Sequence, residues 1–202
     1  MILNDMKQKI YIFLMVMSMI MLSECDITKG LQSLYNMKNC EYRYSSITNL
    51  KVSGMNLSNG ISILQMPQIL AILSGSASSI PLDFTINLDV HNPNASQAAF
   101  QTIQYILQID DVEFANGQLN QPFSVEAGQT TQLPVQIGVD IVTLISNNSQ
   151  SAILNIVKNF IGIGNDKSNV TVHLKPTFNV GSSRITSPVY IPVSFSFGGA
   201  TN

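Results

Sequence analysis

Few residues in this chain carry side chains that could do acid–base, nucleophilic or metal chemistry. The 202 residues include two cysteines and two histidines. The histidines, His91 and His173, are far apart in the sequence, and each lies on the polar phase of an alternating pattern. A Ser-His-Asp triad can assemble from distant positions, but no nucleophile-elbow glycines surround any of the serines. The sequence therefore predicts no catalytic centre.

The carboxylates and cysteines also lack the spacing of a metal site. Asp110, Asp111 and Glu113 lie close together at a predicted turn, but they lack the ligand ladder of a calcium loop. Cys40 has no Cys or His at ligand spacing, and we interpret it as a small buried hydrophobic residue. A disulfide with Cys25 is the alternative. No phosphate-binding glycine motif occurs, so we expect no metal, cofactor or small-molecule substrate.

Composition favours a binding or structural module over an enzyme. Only 11% of the residues are charged, and the net charge is −2, whereas ordinary domains are about 25% charged. Ser, Asn, Gln and Thr together make up a third of the chain. A protein that binds nucleic acid needs clustered cations to neutralise phosphates, and the sequence has no such cluster. Nucleic-acid binding is therefore excluded as a predicted function.

The first 24 residues have the pattern of an export signal. A basic start at residues 6–9 precedes an apolar run of 13 residues, Ile10 to Leu22, in which Ser18 is the single polar residue. As a helix this run would span about 20 Å, less than the roughly 30 Å of a bilayer core. A basic start with an apolar run of this length is typical of a secretory signal. A transmembrane anchor is the alternative.

The signal ends in Leu22-Ser23-Glu24-Cys25, which resembles a bacterial lipobox. The resemblance implies that Cys25 becomes the acylated N-terminus and anchors the protein in a membrane by its lipid chains. Glu24 departs from the small residue that the pattern has before the cysteine. A secretory signal with an unmodified Cys25 is the alternative. Residues 25–45 have no clear period and are predicted to be a tether, which leads into a domain over residues 46–198.

Apolar residues then alternate with polar ones, the pattern of half-buried β-strands. The clearest example runs from Leu82 to Val90, and Asp110-Asp111 marks a tight turn between two later strands. Strands are predicted near residues 47–55, 82–90, 103–109, 112–115, 133–139, 170–178 and 189–197. About seven strands at short intervals predict an all-β sandwich.

Two stretches have helical spacing. Ser149–Ile161 carries its apolar residues on one face and ends before Gly162, which predicts an amphipathic helix packed on the core. Docking of this face on a membrane is the alternative, although Lys158 is its only basic residue. Gln65–Ser74 is predicted to be a short apolar helical segment, with Pro67 near its start and Gly75 at its end.

Short motifs follow one another in a fixed order along the predicted strands. They are Ile80-Pro81-Leu82, Asn92-Pro93-Asn94, Ala99-Phe100, Ile103-Gln104-Tyr105, Ala115-Asn116-Gly117, Ala127-Gly128 and Leu133-Pro134-Val135. This ordered succession resembles the late embryogenesis abundant (LEA) type 2 family, also called the water stress and hypersensitive response (WHy) domain. The resemblance covers roughly residues 47–197. A lipobox before this succession, and the Asn-Cys-Glu-Tyr stretch at residues 39–42, are similar to bacterial, Bacteroidetes-like lipoprotein members.

The resemblance implies a fibronectin-III-like or immunoglobulin-like β-sandwich with an added helix. It also implies a non-enzymatic role connected with desiccation or other stress, and it carries over no catalytic residues. For Asn92, Pro93 and Asn94 we expect a structural role. Pro93 fixes its own φ and holds Asn92 extended, while the two Asn amides bond nearby backbone groups at the strand end.

The expected location is the bacterial cell envelope, where the protein would be lipid-anchored to a membrane. The outer membrane is favoured, and the domain is expected either in the periplasm or exposed at the cell surface. The leading functional hypothesis is weak, non-specific protection or an accessory interaction. The alternative is a specific binding module for an envelope protein or a glycan. Its candidate contact residues are Tyr42, Tyr44, Tyr105 and Tyr190, although Tyr105 lies on an apolar phase and is expected in the core.

Overall fold

The computed structural model describes residues 11, 27–58, 65, 67, 74 and 77–198. The signal and Cys25, predicted to be lipidated, lie outside these residues, except for Tyr11. The apolar segment predicted over Gln65–Ser74 also lies outside them, apart from Gln65, Pro67 and Ser74. Within the described residues, no helix is both long and apolar enough to cross a bilayer.

The described chain is mostly β-structure. One helix, α1, ends at residue 39, and residue 27 is the first described residue in it. Two more helices, α2 and α3, lie between the eighth and ninth strands, at Ile141–Asn147 and Gln150–Phe160. The strands are β1 Glu41–Val52, β2 Met55–Asn56, β3 Pro81–His91, β4 Ala98–Phe100, β5 Thr102–Ile109, β6 Val112–Leu119, β7 Phe123–Val125, β8 Thr130–Asp140, β9 Ser168–Val180, β10 Ser183–Thr186 and β11 Ile191–Phe197.

The long strands form two antiparallel sheets. The first has the order β2-β1-β3-β8, and the second has the order β10-β9-β5-β6, with β11 also paired to β9. The short strands β4 and β7 pair with each other. Seven strands have seven or more residues: β1, β3, β5, β6, β8, β9 and β11. The prediction of an all-β sandwich with about seven strands is confirmed.

The alternation of apolar and polar residues gives each sheet one apolar face, and the two sheets pack through these faces. In β3, the apolar residues from Leu82 to Val90 are buried, and the same holds for Val170, Val172 and Leu174 in β9. Asp110 and Asp111 form the two-residue turn between β5 and β6, with φ of 48° and 64°. Positive φ at both central residues matches the twist of a hairpin, and Asp tolerates it.

Aromatic contacts and one hydrogen bond join the sheets at their edges. Tyr44 of β1 stacks on Phe195 of β11, with ring centroids 4.1 Å apart. On the opposite side, the Tyr105 hydroxyl donates to the Gln136 carbonyl at 3.0 Å. Phe160 of α3 contacts Phe84 of the first sheet at 4.7 Å between ring centroids. These contacts leave a continuous apolar core between the sheets.

The helix predicted over Ser149–Ile161 is confirmed as α3. It buries Ile153, Ile156, Val157 and Phe160 against the core, and Gly162 follows it with φ of 81°. The preceding helix α2 was not predicted. The Asp140 side chain caps it by accepting from the Thr143 amide at 3.1 Å. Hydrogen bonds from Ser79 and from backbone amides lower the pKa of the Asp140 carboxyl.

The predicted tether over residues 25–45 is wrong for the part that the structure describes. Residues 27–39 are helical, and β1 begins at Glu41. The boundary predicted at residue 46 therefore falls inside β1. The helix is fixed to the sandwich, because Met37 is fully buried and the adjacent Cys40 is buried as well. Its sequence shows no apolar period, because Gly30 and Asn36 share the buried face with Met37, while Ile27 and Leu31 are exposed.

Candidate functional site

Asn92, the first residue of the Asn-Pro-Asn motif, is fully buried just after β3. Its side-chain amide Nδ2 donates to the carbonyl oxygens of Ser96 and Val125, both at 2.9 Å. Its Oδ1 accepts from the backbone amide of Asn94 at 3.1 Å and from the Asn94 side-chain amide at 2.7 Å. The Asn92 side chain therefore uses both donors and accepts two bonds.

The backbone of Asn92 is satisfied as well. Its N–H donates to the Gln129 carbonyl at 2.9 Å, and its carbonyl accepts from the Gly128 amide at 2.8 Å. Gly128 has φ of 70°, a conformation that glycine adopts without strain. All polar atoms of Asn92 thus have partners, and its bonds to Val125, Gly128 and Gln129 join the end of β3 to β7 and the β7–β8 turn. This geometry gives Asn92 a structural function and leaves it no group to offer to a ligand.

Asn94 and Asn36 extend the network to helix α1. The Asn94 amide donates to the Asn36 carbonyl at 3.1 Å. The Asn36 amide donates to the Ser96 hydroxyl at 2.8 Å and to the Gln97 carbonyl at 2.9 Å. We call Asn36, Asn92 and Asn94 the asparagine corner. Asn36 was not predicted, because the groups that its amide nitrogen binds lie about 60 residues away and leave no local pattern.

The structure does not bring the histidines together. His91 Nδ1 lies 3.2 Å from Thr130 Oγ1 on the first sheet. His173 Nε2 lies 2.9 Å from Gln108 Oε1 on the second sheet. The turn carboxylate of Asp110 accepts from the Asn169 amide at 2.8 Å. Among residues 27–58 and 77–198, no three His, Cys, Asp or Glu side chains are grouped to hold a metal ion.

Cys40 is buried and free, which confirms its interpretation as a small buried residue. Burial raises the pKa of its thiol to about 11, so the thiol is protonated at neutral pH and a poor nucleophile. Burial also raises the pKa of the neighbouring Tyr42 phenol, whose hydroxyl donates to the Met37 carbonyl at 2.9 Å.

Apart from Arg184 on the edge strand β10, the outer surface of the second sheet carries few charges. We call it the neutral face and define it as the outward-facing residues of β5, β6, β9 and β11. Glu113 and Lys175 are its charged members, whereas Glu41, Arg43, Asp83 and Asp89 lie on the outer side of the first sheet. The rest of the neutral face comprises Thr102, Gln104, Ile106, Gln108, Asn116, Gln118, Asn169, Thr171, His173, Thr177, Asn179, Pro192, Ser194 and Ser196.

Tyr190 lies across this face and forms one wall of a shallow trough. Its ring is 5.0 Å from Lys175 Nζ and 6.2 Å from the His173 ring. The trough has a volume of about 420 Å³, and its lining includes Ile106 and Gly117. A side chain at Gly117 would collide with Tyr105, because an added Cβ would lie 2.6 Å from the Tyr105 hydroxyl oxygen.

Tyr190 is the most exposed of the four tyrosines suggested as contact residues, at 40%. Tyr105 is buried, as its apolar phase predicted. Tyr44 is half-buried in its stack with Phe195, and Tyr42 is half-buried over α1. The trough beside Tyr190 is therefore the place where an aromatic side chain and amide side chains converge on solvent.

The fold and these sites define a class of protein: a β-sandwich module with a buried asparagine corner and a neutral outer sheet. The chain belongs to the late embryogenesis abundant protein family, in its LEA type 2 form. The model of that family matches residues 87–194, just over half of the chain. This match confirms the family resemblance that the motif succession predicted, at the level of LEA type 2.

Comparison with solved structures finds distant likenesses, three of which are as follows. A crystal structure of a protein from Archaeoglobus fulgidus is 15% identical, with a TM-score of 0.40, and covers 79% of this chain and 99% of its own. A solution structure from Arabidopsis thaliana is 12% identical, with a TM-score of 0.45, and covers 80% and 83%. A solution structure assigned to the LEA proteins is 17% identical, with a TM-score of 0.40, and covers 92% and 88%. Such scores carry no argument about this chain, and comparison with curated proteins finds no match.

Proposed function

We propose that this chain is a non-enzymatic lipoprotein of the bacterial cell envelope that protects other molecules during drying or related stress. Membership of the LEA type 2 family supports the connection with stress. The lipobox-like sequence ending in Cys25 supports the anchor. We also propose that the domain is a WHy domain and that the protein is a Bacteroidetes-like lipoprotein member of the family. The observation that carries it is the neutral face.

Hydroxyl and amide groups are suited to such a role for a physical reason. They hydrogen-bond to water, to sugars and to protein surfaces, and removing them from water costs much less than removing a charge. As drying withdraws water, the neutral face exchanges water for partner groups at low cost. Such contacts are weak and non-specific, as protection or an accessory interaction requires.

Freeze-drying a labile enzyme with this protein should preserve more activity than freeze-drying it with an equal mass of an inert protein. A matched variant, Gln104→Glu with Ser194→Lys, places charges at two exposed positions of the neutral face. We expect this variant to fold and to protect less well, because its charges resist desolvation. Equal enzyme recovery with wild type and inert protein would overturn the protective role. Equal recovery with wild type and variant would exclude the neutral face as its source.

A second function is favoured by the trough beside Tyr190, which fits a neutral glycan chain. An aromatic ring offers an apolar surface for the C–H face of a sugar, and Gln104, Asn116 and Gln118 offer amide donors and acceptors for its hydroxyls. The trough is open along the sheet, so it suits an extended chain better than an enclosed small molecule.

Tyr190→Ala should abolish retention of this protein by immobilised envelope polysaccharide if the trough binds glycan. The matched control is Val189→Ala, which alters the adjacent exposed residue and leaves the trough intact. Affinity electrophoresis through a gel containing the polysaccharide measures both variants. Retention of Tyr190→Ala equal to that of wild type would remove the glycan hypothesis.

A further inference from the structure

Helix α1 carries a row of apolar side chains that remain largely exposed, although Ile27 also lies near Gly181 after β9, where an added Cβ would be 3.1 Å from Ile27 Cγ1. Ile27, Leu31 and Tyr35 are 48%, 50% and 60% exposed. They are four residues apart, so they lie along one side of the helix. We call these three residues the apolar stripe. Exposed apolar residues grouped in this way on a folded domain indicate an interaction surface.

The opposite side of α1 is held against the second sheet. An added Cβ at Gly30 would lie 2.2 Å from the Asn179 carbonyl oxygen, so helix and strand are in close contact there. Asn36 bonds to the loop before β4, and Met37 is fully buried. The helix therefore cannot roll to bury the stripe on the sandwich itself.

The position of the stripe in the sequence indicates what covers it. Only Asp26 separates Cys25 from Ile27, and two residues of extended chain reach about 7 Å. With the Cys25 lipid chains in a bilayer, Ile27 must lie at the headgroup level. No flexible tether intervenes to lift the helix away, because residues 27–39 are helical and packed.

The charge of the helix suits the same surface. Residues 27–39 contain no acidic residue. The exposed Lys38 follows Tyr35 by three residues and so lies on the side of the stripe, whereas the exposed Lys29 lies on the opposite side of the helix. Cations near an apolar face favour anionic headgroups. Val189, 52% exposed, extends the apolar area across a groove that Leu34 and Lys38 also line.

We propose that the apolar stripe lies on the surface of the membrane that holds the Cys25 lipid, so that the sandwich rests on the bilayer by its α1 end. This inference builds on the proposed lipid anchor. With this contact the domain has a fixed orientation relative to the membrane and does not move freely on a tether. The stripe adds buried apolar area to acyl chains that, taken one at a time, bind a membrane only marginally.

Single tryptophans test this contact, because the chain contains none. The full lipoprotein is purified with Leu31→Trp or Tyr35→Trp and reconstituted in vesicles of phosphatidylglycerol and brominated phosphatidylcholine. Gln104→Trp on the neutral face is the matched control. We expect the stripe tryptophans to emit at shorter wavelength than the control and to lose emission to bromine, while the control keeps its emission.

The result that overturns the inference is a Leu31→Trp emission as resistant to bromine as that of Gln104→Trp. A blue shift without bromine quenching would also overturn it, because a second copy or another segment of the chain would then cover the stripe. Palmitate labelling, with Cys25→Ala as its control, tests the anchor separately. If the protein is labelled with palmitate but its tryptophan is not quenched, the lipid anchor stands and the membrane contact of the stripe is contradicted. If it is not labelled but its tryptophan is quenched, the lipid anchor is contradicted and the membrane contact stands.

Discussion

Asn92→Ala is expected to destabilise the sandwich by about 3–5 kcal/mol, since it removes four side-chain hydrogen bonds from a fully buried position. The Val125 and Ser96 carbonyl oxygens would each lose the Asn92 donor, and Ser96 would keep only the Asn36 amide. The Asn94 backbone and side-chain amides would lose the Asn92 acceptor. Such a loss is a large fraction of the 5–15 kcal/mol typical of a domain. The midpoint of urea unfolding, converted with an unchanged slope, measures it.

Two further variants at the motif separate hydrogen bonding from shape. Asn92→Asp keeps the shape but cannot donate when ionised, so at neutral pH it should destabilise at least as much as Asn92→Ala. Pro93→Ala alters the exposed middle residue, and its loss of φ restriction should cost no more than about 1 kcal/mol. Similar losses for Asn92→Ala and Pro93→Ala would contradict the account of the asparagine corner.

The sequence carries the signals for the sandwich because those signals are local. In β3 and β9 the inward residues are apolar and the outward residues are polar, so alternation alone identifies both strand and face. The Asp110-Asp111 turn and helix α3 are equally local, since the turn residues tolerate positive φ and the helix has a continuous apolar face.

The features that escaped prediction depend on distant partners. In α1 the usual pattern is broken: Gly30 and Asn36 are buried beside Met37, and Ile27 and Leu31 are exposed. Gly30 is buried because it packs against the Asn179 backbone, and Asn36 is buried because it bonds to Ser96. Both partners are far away in the sequence, so no local period indicates them. For the Asn-Pro-Asn motif, sequence reasoning anticipated bonds to nearby backbone, but the contact with Val125 appears only once β7 is placed.

Gly30→Ala should destabilise the protein, although alanine is the better helix former by about 1 kcal/mol. The new Cβ would lie 2.2 Å from the Asn179 carbonyl oxygen and 2.9 Å from the Val180 Cα. Both are backbone atoms of β9, so the strand cannot yield as a flexible side chain could. Overpacking of this kind costs about 1–3 kcal/mol, and we expect α1 to move away from the sheet.

Amide hydrogen exchange distinguishes this local release from general loss of stability. With Gly30→Ala, amides of residues 27–39 should lose protection, while those of β3 and β8 in the first sheet keep it. Lys29→Ala, at an adjacent exposed position, is the matched control and should leave protection unchanged. Greater stability for Gly30→Ala would show that α1 does not pack closely on β9. Because that packing is what turns the apolar stripe outward, the same result would remove the structural basis for a membrane-oriented domain.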